Sequence, residues 1–450
     1  MRGNPLQRKV VFRDGIPVLP GRYPLLGHGW VFSADLLSLL RGGHADLGPL
    51  FWINPFLDRW MLICGGSSVF EILRSKSVSN AYLRDEKAGN LIVGSAILSL
   101  DGAAHQHVRS AMNPPFAPRG LQNGSFGQVM ASVFSARTGA WCARGTIPVL
   151  DEVKEASLEV VFRMVGVPTD ELSVWRGHFL PFLRGAFAPP FLIPGTPLYR
   201  TAQARKWLDE HILQIVRRAR ESEETGTILA SLIHAKDENG EPLSDAELVD
   251  NLRFLFVAGH DTTAAVMSWI LIELARDPQL WDQLCAEALA APDVPRSPRE
   301  AQAFPVAEAL FREAARMYAP VTLTNRRTVA PMTLHGHEVP VGALLGVSPA
   351  LACRDPDAYA DPDTFRPARW LGRREPPTSY ELMAFGSGPH FCMGYPLAWL
   401  ESVLFAVTLA RKASEVGVRP RLASGSPPPR QVYNASSGHP APDIRVDFAA

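Results

Sequence analysis

The sequence predicts a mainly α-helical protein with minor β structure near each end. Three observations carry this expectation. One long stretch opens on a capping box, Ser244 followed three residues later by Glu247, and stops at Asp277-Pro278. Other stretches, among them SLEVVFRMVG and ARKWLDEHILQIVRRARE, repeat apolar residues at helical spacing. β-Prone text is confined to PLFWI and RWMLICGG early in the chain, and to MTLHGHEVPVGALLGVS and the tail late in it.

Taken in order, the opening arm is punctuated by Pro17, Pro20 and Pro24 and is expected to be irregular. The apolar segment Ala186–Tyr199 holds four prolines, which exclude a helix through it and predict a loop. The capped stretch that follows predicts a helix on the order of 50 Å long. Its apolar run is long enough for a membrane span, but Asp250, Asn251, Arg253, His260 and Asp261 interrupt it. A helix through a protein core is the better expectation. After the late sheet come the proline-rich RDPDAYADPDTFRPARW, the glycine-rich FGSGPHFCMG, and a helical pattern over PLAWLESVLFAVTLARK.

The chain of 450 residues carries 45 basic and 45 acidic side chains, so no global charge attracts nucleic acid. No composition break or internal repeat divides it, which predicts one domain over residues 1–450 with a proline-rich arm over 1–25. The five cysteines are odd in number, widely spaced and lack a CxxC pair. That excludes a disulfide framework or a zinc site and fits a reducing compartment. The N-terminus lacks the apolar core of a signal peptide or anchor, so a cytoplasmic protein without a membrane anchor is expected.

Four local patterns carry chemistry. Ala258-Gly259-His260-Asp261-Thr262-Thr263 places a helix-weakening glycine beside a carboxyl and a hydroxyl. Either Thr262 bonds back to its own helix with Asp261 at the surface, or the pair relays protons to a reactive centre. LFREAARMYAP sets Glu313 and Arg316 at i, i+3, an ordinary surface pair unless Arg369 in FRPARW brings a second guanidinium to the same carboxylate. DGAAHQHVRS sets His105 and Arg109 at i, i+4, either a solvated face or a clamp for an anionic group. Phe385–Gly394 surrounds Cys392 with Gly386, Gly388 and Gly394. A structural cysteine needs no such glycines, and no known nucleophile pattern surrounds this one. A thiolate ligand at the start of the following helix, where amide donors and the helix dipole favour negative sulfur, accounts for more.

FGSGPHFCMG resembles the haem-binding loop of the cytochrome P-450 family, Phe-x-x-Gly-x-(Arg/His)-x-Cys-x-Gly. The family's other patterns follow in order: His105-x-x-x-Arg109, Ala258-Gly259-x-Asp261-Thr262, Glu313-x-x-Arg316 and Pro367-x-Arg369. The resemblance implies that fold, with haem b buried between the long central helix and the cysteine loop. It implies Cys392 as the axial thiolate and metal ligand, with Phe385 and Gly386 beside it. His105, Arg109, His390 and Arg326 would contact the propionates. Asp261 and Thr262 would deliver protons to iron-bound dioxygen, and Glu313, Arg316 and Arg369 would form a supporting triad. A substrate pocket walled by Ala258, Val321, Leu323, Leu98 and Val432 is expected, with the loop near Phe191 gating it.

The implied activity is insertion of one atom of dioxygen into a hydrophobic small molecule, a terpenoid, fatty acid, steroid or polyketide. The chain ends soon after the β-prone tail, so electrons are expected from a separate ferredoxin or flavodoxin with its reductase, docking on the cysteine side. A peroxide-driven or non-oxygenating haem-thiolate enzyme is disfavoured by the intact Asp261 and Thr262; a haem sensor without turnover is the other alternative. Departures from the commonest forms are His105, His390, Cys353, Trp370 and Pro396.

Overall fold

Asp14 and Gly15 turn the chain back on itself with φ of 52° and 73°, so Phe12–Arg13 pairs antiparallel with Ile16–Pro17. The arm is therefore more regular than its prolines suggest. An Asp-Gly pair supplies the two left-handed residues that a tight hairpin needs; Pro17 faces Phe12, and the Val18 amide donates across to the Val11 carbonyl at 2.8 Å.

The structure, a computed structural model, describes residues 11–21, 27–56, 59–123, 125–184, 193–222, 225–373, 375, 377–434 and 437–450. They form two compact units. The first comprises residues 1–82, 321–364 and 376–391; the second comprises 83–320, 365–375 and 392–450.

The first unit is built on a five-stranded sheet in the order Leu50–Phe56, Arg59–Cys64, Leu344–Val347, Thr324–Thr328, Val78–Ser79. Only the Arg59–Cys64 and Leu344–Val347 pair is parallel; the rest are antiparallel. Leu62, Ile63 and Cys64 are consecutive and all buried, the signature of a strand covered on both faces. A hairpin, Met332–Leu334 with His337–Val339, stands beside this sheet in sequence as a separate ladder.

The second unit is helical around Asp245–Arg276. Both halves of the expected capping box are present, and 32 residues give a helix roughly 48 Å long. The helix Val149–Val165 packs along it, as do Pro197–Glu221, Pro305–Met317 and Tyr395–Glu415. The rings of Phe162, Trp175, Phe179 and Phe256 meet edge to face at the centre of this packing. A three-stranded sheet of Arg419–Leu422, Arg445–Ala449 and Thr146–Pro148 and a ladder of Gln431–Asn434 with Ser437–Pro440 supply the β structure of this unit.

Two segments, Asp245–Arg276 and Gly388–Glu415, have the length and hydropathy to cross a membrane, and 72% and 61% of their apolar windows are buried within the protein. Of the expected loop Ala186–Tyr199, the part up to 192, including Phe191, lies outside the described residues. Its last three residues are helical instead. Thr196 Oγ1 accepts the Tyr199 amide at 3.3 Å, and Pro197 takes the first helical position, where its missing N–H costs nothing.

Candidate active site

All the groups described first belong to the second unit. The central helix carries the polar break at its middle. Gly259 sits where the helix Val149–Val165 crosses: a Cβ there would lie 2.8 Å from Val161 Cγ2. The glycine is thus a requirement of close packing between two helices. Next to it, Thr262 Oγ1 donates to the Ala258 carbonyl at 2.6 Å, the back-bond of the first sequence reading. That reading fails for Asp261, which is buried and not at the surface.

The Asp261 carboxylate is held on both oxygens. Lys154 Nζ lies 2.8 Å from Oδ1. His439 Nε2 lies 3.0 Å from Oδ2, and Ser437 Oγ donates to the same oxygen. Burial pushes this carboxyl up, but the hydrogen bond and charge of His439, then those of Lys154, outweigh it and hold it well below the usual carboxylate range. Lys154 keeps about a fifth of its side chain exposed, so the cluster reaches water through the lysine. Sequence reasoning missed Lys154, Ser437 and His439. Their partner is 107, 176 and 178 residues away, as the numbering shows, and no local pattern signals such pairings.

One helical turn of Val149–Val165 further on, Ser157 Oγ donates to the His260 carbonyl at 3.2 Å and lies 3.5 Å from Glu401 Oε1. Glu401 is buried, and burial pushes its carboxyl up to about 8, with the Ser157 hydrogen bond opposing. Burial likewise pushes the His260 imidazole down to about 3, so it is neutral near pH 7. Only an acidic residue inside the apolar run of the last helix marked Glu401 in the sequence.

Cys392 precedes the helix Tyr395–Glu415 by two residues and is exposed. The protein atoms around it raise the thiol above its ordinary value, and the Gly394 amide, the Arg109 guanidinium and the Tyr395 amide only partly oppose this. Because the sulfur takes its amides from positions 394 and 395, Pro396 removes no donor from it. Gly394 has a φ of −78°, which any residue adopts, so it is not a left-handed turn residue. Arg109 and His105 share one face of the helix Gly102–Met112, and His105 is buried, which excludes a solvated face. Burial first, then Arg109, lowers the His105 imidazole below its ordinary value.

Glu313 is buried at the centre of a cluster, not at the surface as an ordinary i, i+3 pair would be. Arg316 donates Nε to Oε2 at 3.0 Å and Nη2 to Oε1 at 2.8 Å. Arg369 Nε and the Arg366 amide reach Oε1 at 3.0 and 2.8 Å, and Trp370 Nε1 reaches Oε2 at 2.8 Å. Trp370 therefore completes the cluster with an indole donor. Burial pushes the Glu313 carboxyl up, and the two bonds from Arg316 with the other donors bring it below its ordinary value. Leu98 lies half-buried on the turn Ile97–Ser99, and Val432 half-buried on Gln431–Asn434; the side chain of Tyr433 lies outside those described.

In the first unit, Phe385 closes the turn Met383–Phe385, and Gly386 follows with φ of 77°. Gly388 has φ of 66°, and a Cβ on it would fall 2.6 Å from the Leu73 carbonyl oxygen. Both glycines are thus required by backbone shape. His390 ends the next turn, Gly388–His390. Arg326 is buried on the strand Thr324–Thr328, where Nη1 donates to Thr324 Oγ1 at 3.1 Å and to the Asn325 carbonyl at 2.8 Å. Val321 and Leu323 are half-buried in the segment that leads into that strand.

Comparison with known proteins bears on this geometry. The sequence model of the cytochrome P-450 family matches residues 179–412. A protein of Sinorhizobium fredii named cytochrome P-450 BJ-4 homolog is 38% identical over 446 residues, 99% of each chain. The cyclooctatin synthase of Streptomyces melanosporofaciens is 27% identical over 92% of this chain and 95% of its own. The taxane 13-alpha-hydroxylase of Taxus cuspidata is 25% identical over 87% of this chain and 85% of its own. Among solved structures, a retinoic acid-bound cyanobacterial CYP120A1 superposes with a TM-score of 0.83 at 21% identity, covering 96% of this chain and 99% of that one, a likeness of fold. With its loop cysteine, the polar groups inside its central helix and relatives alike along its full length, the chain belongs to the cytochrome P-450 family of haem b monooxygenases.

Proposed function

We propose that the chain is a haem-thiolate monooxygenase acting on a terpenoid-like apolar substrate, with Cys392 as the iron ligand. The observation that carries this reading is the contrast among its cysteines. Cys64 and Cys353 are buried, and burial drives the Cys64 thiol far up. Cys392 is exposed, and although its surroundings raise its thiol too, two amides and a guanidinium oppose that rise, where nothing opposes it at Cys64. That donor set fits a sulfur that would hold the iron of a haem. Bound there, haem would supply the one-electron and dioxygen chemistry, and the protein would supply binding, orientation and protons.

His105, Arg109, His390 and Arg326 are the side chains we assign to the haem carboxylates, and Phe385 and Gly386 to the ligand loop. The Glu313, Arg316 and Arg369 cluster keeps the chain rigid around Arg366–Trp370. Asp261 and Thr262 are the side chains we assign to proton delivery. Thr262 Oγ1 must turn from the Ala258 carbonyl to act as a donor elsewhere, and the ionised Asp261 carboxylate orients Lys154, whose ammonium can exchange protons with water. Ala258, Leu98, Val432, Val321 and Leu323 are assigned to the substrate walls.

A terpenoid is favoured among apolar substrates because the relatives include proteins named for cyclooctatin and taxane chemistry. The enzyme uses dioxygen and a redox partner; we assign that partner to a ferredoxin or flavodoxin with its reductase. The burial of both long apolar segments supports a soluble, cytoplasmic protein working as a single catalytic domain. The test is the reduced protein under carbon monoxide. A thiolate-ligated haem gives a red-shifted Soret band that Cys392→His abolishes; a histidine-type band in the wild-type protein overturns the ligand assignment.

A further inference from the structure

The segment from Asn90 to Ile97 is held largely by side chains that come from two distant helices. Arg205, on Pro197–Glu221, donates Nη1 to the carbonyls of Asn90 at 2.7 Å and Leu91 at 3.2 Å. From the central helix, Asp250 Oδ2 accepts the Ser95 amide at 2.8 Å, and Asn251 Oδ1 accepts the Ile97 amide at 2.8 Å. Four backbone groups within eight residues are thereby tied to side chains at least 114 positions away.

The holding groups are joined to one another. Arg253, fully buried, pairs with both Asp209 and Asp250. Arg205 Nε lies 3.3 Å from Asp209 and its Nη2 3.6 Å from Asp250. Asn251 Nδ2 donates to the Glu247 carbonyl at 2.8 Å, which fixes the orientation of its amide. Gly94 lies against this network with φ of 54°, and a Cβ there would come within 2.7 to 2.9 Å of Asp250 and Arg253 atoms. This charge network, buried at Arg253 and partly exposed at Arg205, Asp209 and Asp250, is a poor source of net stability but can select one geometry. Here the geometry selected is that of the segment leading directly into Leu98.

We infer that Arg205, Asp209, Asp250, Asn251 and Arg253 are positioning residues that latch segment 90–97 in place and thereby set the size of substrate the enzyme admits. This rests on the assignment of Leu98 to the pocket wall. Loosening the latch lets that wall yield, so bulky ligands gain more than small ones. A network serving only to stabilise the fold lowers thermal stability without changing size discrimination.

The experiment uses the haem-loaded full chain, with Asp250→Asn as the first variant and Arg205→Gln, at a partly exposed position, as the second in case the first folds poorly. Hydrogen exchange at the Ser95 and Ile97 amides is expected to accelerate about tenfold in Asp250→Asn, the mark of a lowered local opening free energy. Association rates for imidazole and for 4-phenylimidazole are read from the spectral shift on nitrogen binding to iron. Their ratio is expected to move about fivefold toward the bulky azole, with imidazole itself unchanged, since rigid walls exclude bulk at the level of k_on. Arg205→Gln moves both readouts in the same direction by less. Unchanged exchange overturns the latch. Faster exchange with an unchanged azole ratio overturns its role in substrate size. No azole shift in the wild-type protein overturns the haem reading and the pocket role with it, a result distinct from either.

Discussion

Two buried carboxylates in the helical unit are held in opposite ways. Glu313 receives donors from Arg316, Arg369, Arg366 and Trp370, and neither its own side chain nor that of Arg316 reaches water. Asp261 is held by Lys154, Ser437 and His439, and the lysine is partly in solvent. The first carboxylate is bound on both oxygens by donors of which Arg369 keeps about a tenth of its side chain exposed. The second has a partner that exchanges with water. Buried charge serves as a fixed brace in one place and, in the other, as an ionised acceptor whose donor Lys154 can exchange protons with water, and the surroundings of the partners decide which.

The largest expected effect tests the brace. Glu313→Ala leaves two guanidinia near each other without their carboxylate and is expected to cost about 3–5 kcal/mol in chemical denaturation. A cost below about 1 kcal/mol would put the cluster on a par with surface ion pairs. Next comes the second carboxylate: Asp261→Asn is expected to lower coupled turnover about 100-fold, the scale of lost acid–base assistance. Stability should fall much less than in Glu313→Ala, and the reverse ranking would make Asp261 a second brace.

Glu401 sharpens the comparison, because it is a buried acid with a single weak partner. Its folded-state value of about 8 stands above the ordinary glutamate value of about 4.3, so the folded protein binds this proton more tightly than the unfolded chain. The associated stability is complete below about pH 4 and is lost as pH rises toward 8. Glu401→Gln is expected to flatten that dependence and to stabilise the protein at pH 8 by on the order of 1–3 kcal/mol. An unchanged melting profile between pH 5 and 8 would mean that the carboxylate is solvated. The smallest change in stability belongs to Thr262→Ala, which removes one back-bond to Ala258 and is expected to alter stability by less than about 0.5 kcal/mol. Product formed per electron consumed should nevertheless fall several-fold; unchanged coupling would remove Thr262 from proton handling.

Much of this was readable along the chain. The central helix was marked by Ser244, Glu247 and the terminal Asp277-Pro278, because caps and stops act within four residues. Gly386 and Gly388 announced backbone that only glycine follows easily. Glu313, Arg316 and Arg369 were found through spacing and resemblance, while Trp370 looked like a mere departure until its indole was seen to donate to Glu313. The polar groups of the helix break were seen too, but not which of them was covered. Thr262 did what an isolated helix threonine does, and Asp261 did not.

Local interactions are written in neighbouring residues, so the capped helix, the glycine turns, the apolar faces and the cysteine loop followed from the sequence alone. Burial is different, since it is conferred by whatever segment packs on top. Lys154 and His439 meet Asp261, Ser157 meets Glu401, and Arg205 grips Asn90 only because helices far apart in the chain lie side by side. The charge state of each carboxyl depends on that coverage, because desolvation and partner charges act through space, so only the tertiary structure could separate a brace from an acceptor whose donor reaches water.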